Sequence, residues 1–68
     1  MQFGDYLLAV AVALKSEHGY GLESAFRLVR AYRGEIESSF FLRRNVVEVA
    51  EELDDRATSD TTVTAQGE

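Results

Sequence analysis

The sequence predicts an all-α fold, a small helical bundle of two to three helices whose last helix is long. Two observations lead to this prediction. Apolar residues recur at intervals of three and four over most of the first 54 residues, which is the spacing of one face of a helix. Glycines at positions 19, 21 and 34 separate the periodic segments. Because the chain has only 68 residues, these helices belong to one small domain.

The first helix is expected over residues 3–17. Its apolar stripe consists of Phe3, Leu7, Val10 and Leu14, with Tyr6 and Ala13 at the edge. Leu8 and Val12 lie almost opposite that stripe, and a helix that is apolar on two sides is usually covered on two sides. Gly19 and Gly21 then supply the break, because glycine adopts the left-handed conformation that ends helices.

A second helix is expected from about Gly21 to Arg33. Its stripe consists of Leu22, Ala25, Phe26, Val29 and Tyr32. Glu23 and Arg27 are spaced as an i, i+4 ion pair on the opposite face. The second helix is expected to stop at Gly34.

The third segment, from about Glu35 to Asp54, is expected to be one continuous helix of about 30 Å. Its apolar arc consists of Ile36, Phe40, Leu42, Val46, Val47, Val49, Ala50 and Leu53. Arg43 projects into that arc, and Phe41 points away from it. The alternative is a break at Asn45, which would cap a new helix together with Glu48. We favour continuity because the apolar arc keeps its phase across Asn45.

Composition excludes several classes of chemistry. With no cysteine, the chain cannot form disulfides, thiolate metal sites or cysteine nucleophiles. The longest apolar run, Tyr6 to Leu14, is nine residues, whereas a membrane span needs about 20. That run also lacks the flanks of a signal peptide, so we expect a cytoplasmic protein that does not bind membranes.

The charge is distributed unevenly along the chain. Residues 23–44 have a net charge of +2, whereas residues 45–68 carry seven acidic side chains against Arg56 alone. From about Arg56 onward no apolar periodicity remains, so the sequence cannot compensate the entropy of ordering. We therefore expect a helical domain over residues 1–54 and a disordered acidic and polar tail over residues 55–68.

The sequence predicts no catalytic, metal or cofactor site. His18 is the single histidine, and no Gly-x-Ser-x-Gly turn accompanies it, so we expect a helix cap and not an enzyme. A helix, a glycine turn and a second helix bearing Arg27 and Arg30 leave a DNA-binding helix-turn-helix as the alternative function. The pI near 4.7 and the acidic end argue against DNA.

The chain carries more large apolar side chains than a lone trio of helices can cover, so we expect a homodimer. The predicted dimer interface consists of Leu8, Val12, Leu42, Val46, Val49 and Leu53.

A second surface is expected to bind one larger protein and to regulate or inhibit it, as an anti-activator, antitoxin or adaptor does. Aromatic residues flanked by arginine are enriched at binding hot spots. The predicted protein-binding residues are Tyr20, Arg27, Arg30, Phe41 and Arg43.

From Gly19 onward the chain resembles the ubiquitin-associated (UBA-like) three-helix family over about half of its length. Gly19-Tyr20 matches the family's loop, and Glu23-Ser-Ala25-Phe26-Arg-Leu28-Val29 matches its second helix. Gly34 matches the second turn, and Ile36-Glu37-Ser-Ser39-Phe40 matches the start of the third helix. The resemblance implies a protein-binding surface around Gly19, Tyr20 and the end of the third helix.

Overall fold

The computed structural model describes the backbone of residues 2–67 and the side chains of residues 2–59. The predicted all-α class is confirmed. The described residues form four helices, α1 (Phe3–His18), α2 (Leu22–Ala31), α3 (Arg33–Phe41) and α4 (Val46–Gly67). The prediction of two to three helices is therefore wrong in number, because the chain bends at two places where the apolar pattern shows no interruption.

α1 begins and ends close to the predicted positions. Gly19 has a left-handed φ of 73°, and its N–H donates to the Lys15 carbonyl at 3.2 Å. The Tyr20 N–H donates to the Leu14 carbonyl at 3.3 Å. These bonds satisfy carbonyls that would otherwise lack partners at the helix end, and the conformation suits glycine because it has no Cβ.

The break between α2 and α3 lies at Tyr32 and not at Gly34. Tyr32 leaves the helical conformation, with φ −110° and ψ 28°, and Gly34 falls inside α3. Val29 before the bend and Ile36 after it are both buried in the same core. Seven residues separate them, so they share a helix face and no phase change marks the bend in the sequence.

The third segment is two helices and not one, so the expectation of a continuous helix is wrong. α3 ends with a pair of bonds from the N–H groups of Arg43 and Arg44 to the carbonyls of Phe40 and Ser39, both at 3.0 Å. Asn45 then caps α4, because its Oδ1 accepts from the Val47 N–H at 2.7 Å. The chain therefore breaks at Asn45, which was the alternative in the sequence analysis. Glu48, which was expected to cap the helix together with Asn45, pairs with Arg44 at 3.6 Å.

α1 is the central element of the bundle and packs against α4, α2 and α3. The buried apolar residues of the described chain are Tyr6, Val10, Ala11, Ala13, Leu14, Ala25, Val29, Ile36, Val49, Ala50 and Leu53. Phe3 and Leu7, from the predicted stripe, are partly buried against this core. The opposite side of α1, which bears Leu8 and Val12, is left uncovered.

α4 continues from the core into the acidic end of the chain. Among the described side chains of α4, Leu53 is the last buried apolar one, and the helix extends to Gly67. The predicted tail covers residues 55–68, and the side chains from residue 60 onward lie outside the described residues. The division of the chain at residue 54 stays a prediction.

Candidate protein-interaction surfaces

Exposed apolar side chains define two separate surfaces within the described part of the chain. The large exposed ones are Leu8, Val12, Leu22, Phe26, Phe41, Leu42 and Val47. We call Phe41, Leu42 and Arg43 the Phe41 tip, because they are consecutive at the end of α3. We call Leu8, Val12, Phe26 and Val47 the α1 face, because Leu8 lines one groove with Val12 and Val47 and another with Phe26.

The Phe41 tip presents two large apolar side chains to solvent, and a residue in the left-handed conformation follows them. Phe41 and Leu42 are 74% and 73% exposed. Arg43 follows with a φ of 57°, in the left-handed region that residues with a Cβ rarely adopt. Glycine is the usual residue at this position after a helix, and a non-glycine residue there costs about 1 kcal/mol.

A groove of about 630 Å³ lies beside the tip and is lined by Tyr6, Phe40, Phe41, Arg43, Arg44 and Val46. The ring centroids of Phe40 lie 5.3 Å from Tyr6 and 5.8 Å from Phe41. The Tyr6 hydroxyl donates to the Arg44 carbonyl at 2.8 Å, and burial raises the pKa of the Tyr6 phenol. The tilted and edge-on ring contacts and this hydrogen bond hold the groove in shape.

The two arginines at the groove, Arg43 and Arg44, differ in whether they form ion pairs with described side chains. Arg44 forms ion pairs with Glu52 and, at 3.6 Å, with Glu48. The hydrogen bond from Arg44 lowers the pKa of the Glu52 carboxyl. Arg43 has no ion pair with any residue whose side chain is described, so its guanidinium is available to a ligand.

The α1 face is a band of exposed apolar side chains with a groove on each side of α1. Leu8 and Val12 line the groove of about 460 Å³ toward α4, together with Val46 and Val47. Leu8 also lines the groove of about 340 Å³ toward α2, together with Phe26. Leu8 therefore connects the two grooves into one surface.

The predicted protein-binding residues do not come together in the structure. Arg27 and Arg30 are exposed on α2, where Arg27 lies 3.8 Å from Glu23, as the i, i+4 spacing predicts. Phe41 and Arg43 share the tip after α3. Tyr20 follows the C-terminal end of α1, whereas Tyr6 and the tip lie near its N-terminal end, and α1 is about 24 Å long.

Tyr20 is committed to contacts within the chain. Its hydroxyl donates to Asp54 Oδ1 at 2.8 Å, and His18 Nδ1 lies 3.4 Å from Asp54 Oδ2. Burial and this hydrogen bond raise the pKa of Tyr20 to about 12. The three side chains join the C-terminal end of α1 to the middle of α4, which is a structural role.

The residues predicted for a dimer interface divide between surface and core. Leu8 and Val12 are 50% and 49% exposed, and Val46 is partly buried beside them. Val49 and Leu53 are only 3% exposed, because α4 turns them into this chain's own core. Leu42 lies at the Phe41 tip.

Sequence reasoning missed Phe26 and Val47 as surface residues. Both fit the apolar stripes, and both are 43% exposed in the structure. Each lies at the edge of its apolar stripe, beside α1. The sequence does not show whether α1 covers a residue at that edge.

No helix within the described residues is sufficiently long and apolar to cross a membrane. The described side chains also contain no group of three acidic or histidine residues that could hold a metal ion. Comparison of the chain with protein-family models, curated proteins and solved structures finds no match.

Proposed function

We propose that this chain is a small non-enzymatic helical protein that forms a homodimer and binds one larger protein, which it regulates or inhibits. The observation that carries the proposal is the Phe41 tip, where two adjacent large apolar side chains are about three-quarters exposed. The resemblance to the UBA-like family supports the same class of function.

The tip has the composition of a binding site. Isolated exposed apolar residues are ordinary, but adjacent ones beside an aromatic-lined groove form a patch typical of protein contacts. Arg43, which has no ion pair with any described side chain, supplies a cation whose forked donors suit a carboxylate. The tip therefore fits a partner segment that presents an apolar side chain next to an acidic one.

The strained backbone at Arg43 supports a functional reading of the tip. A glycine at this position would relieve the left-handed strain, so the arginine lowers stability where it stands. Residues held in unfavourable conformations are concentrated at functional sites. The tip retains a cation at the expense of about 1 kcal/mol.

Affinity capture from the lysate of the source cells tests this proposal with matched variants. We expect the wild type to retain one protein that Phe41→Asp and Arg43→Gly release, whereas Arg27→Glu, on α2, still retains it. Arg43→Gly should also raise the free energy of unfolding by about 1 kcal/mol, measured by chemical denaturation. Its loss of binding therefore cannot come from unfolding. Retention of the partner by both tip variants would place the binding surface elsewhere.

The captured protein's own activity, with and without added wild-type chain, tests the regulatory part of the proposal. We expect that activity to change with wild type and to stay constant with Arg43→Gly. A gel-shift assay with duplex DNA tests the alternative function, a DNA-binding helix-turn-helix. Retardation that weakens steeply with salt and is lost in Arg27→Glu would favour DNA binding.

A further inference from the structure

We infer that two copies of this chain associate through their α1 faces with the two α1 helices antiparallel and in one defined register. This inference rests on the homodimer of the proposed function and specifies its geometry. The occupant of the α1 face is a second copy, because the charges on this face are complementary to those of the same face turned end to end.

The exposed side of α1 has a symmetric order of residues. Asp5 precedes Leu8 by three residues, Leu8 precedes Val12 by four, and Val12 precedes Lys15 by three. On a helix these intervals place all four side chains along one side, with the acid and the base about 15 Å apart at its two ends. All four are exposed in the structure.

A two-fold axis perpendicular to α1, at the level of Val10, exchanges the two halves of this pattern. It sets Leu8 of one copy against Val12 of the other, and Asp5 of one copy against Lys15 of the other. Two equivalent ion pairs then flank a central apolar contact. A parallel arrangement would instead place Asp5 against Asp5 and Lys15 against Lys15, which is repulsive.

In this arrangement the neighbouring helices extend the contact. The same axis brings the α2 edge of one copy to the α2 edge of the other, so Phe26 adds apolar surface on that side. The α4 edges meet in the same way through Val47. Neither Asp5 nor Lys15 forms an ion pair with any side chain described in its own chain, so both are free to pair across the axis.

Sedimentation equilibrium of the full chain tests the register through a charge exchange. Asp5→Lys or Lys15→Glu alone turns both symmetry-related attractions into repulsions, and we expect each to weaken the dimer about tenfold at low salt. The double variant Asp5→Lys/Lys15→Glu restores the attractions in reversed order, so its dissociation constant should return close to that of wild type. High salt should reduce these differences.

The outcomes separate this inference from the proposed function. A dimeric wild type whose double variant is no tighter than the single variants overturns the antiparallel register and leaves the homodimer. A wild type that is monomeric throughout the micromolar range overturns both the register and the dimer, while partner capture by the Phe41 tip is tested independently.

A matched pair of leucine variants locates the interface. Leu8→Glu should produce a monomer, because it places a charge at the centre of the apolar contact. Leu42→Glu, at the Phe41 tip, should leave the dimer intact. Circular dichroism checks that both remain helical. Dissociation by Leu42→Glu with retention by Leu8→Glu would overturn the α1 face as the interface.

Discussion

Asp54 joins the C-terminal end of α1 to the middle of α4. Its carboxylate accepts a hydrogen bond from the Tyr20 hydroxyl and lies within ion-pair distance of His18. A carboxylate that contacts both a phenol and an imidazole links three parts of the chain, namely the end of α1, the loop after it and the middle of α4. The sequence shows the three residues but not their meeting, because 34 positions separate Tyr20 from Asp54.

The raised pKa of Tyr20 predicts a loss of stability at alkaline pH. The phenol has a pKa of about 12 in the folded chain and 10 in the unfolded chain. Between these values the unfolded state binds fewer protons than the folded state, so the free energy of unfolding falls as pH rises. This stability is fully present below pH 10 and is lost through pH 12.

Tyr20→Phe should remove this part of the alkaline dependence. The variant should be less stable than wild type at neutral pH, by about 1 kcal/mol for the lost hydrogen bond. Its denaturation curves should approach those of wild type as pH rises toward 12. Chemical denaturation at several pH values measures this, and an unchanged gap between the two proteins across that range would contradict the assignment.

The junction between α3 and α4 decides which apolar side chains of the third segment are buried. Four residues, 42–45, separate the two helices. Leu42 is left in solvent, whereas Val49 and Leu53 are buried. Two local devices define the junction: the left-handed Arg43 that ends α3, and the Asn45 side chain that begins α4.

Removal of the cap at Asn45 should destabilise the fold. Asn45→Ala leaves the Val47 N–H without its side-chain acceptor, and losses of this kind are about 1 kcal/mol. Asn45→Asp is the matched control, because aspartate caps equally well and its charge is favourable at a helix N-terminus. Urea denaturation should rank the aspartate variant at or above wild type and the alanine variant below it. Equal stability of all three would contradict the capping role.

Within the described part of the chain, the apolar core ends at Leu53, in the first half of α4. Beyond it, Arg56 forms an ion pair with Glu35. The Arg56 guanidinium also lies 5.2 Å from the centroid of the Tyr32 ring. These contacts join α4 to the bend between α2 and α3.

A chain that ends after Ser59 should therefore fold as the full chain does. We expect its thermal midpoint to stay within a few degrees, because the shorter chain keeps every buried apolar residue of the described part of the chain. A chain that ends after Asp54 loses the ion pair and the cation–π contact of Arg56, and should be less stable by about 1 kcal/mol. Thermal denaturation followed by circular dichroism compares them. Unfolding of the chain that ends after Ser59 would show that the acidic end is part of the domain.

The sequence by itself determined the helical class, the bounds of α1 and the exposure of Leu8 and Val12. These features depend on local properties, namely the spacing of apolar residues and the left-handed preference of Gly19. Only the tertiary structure decided the bends at Tyr32 and at residues 42–45. It thereby exposed Phe41 and Leu42 together and buried Val49 and Leu53. The physical reason is that apolar periodicity reports which side of a helix is apolar, but not the direction of its axis. Because the apolar pattern keeps its phase across both bends, only the packing of α3 and α4 against α1 reveals where the chain turns.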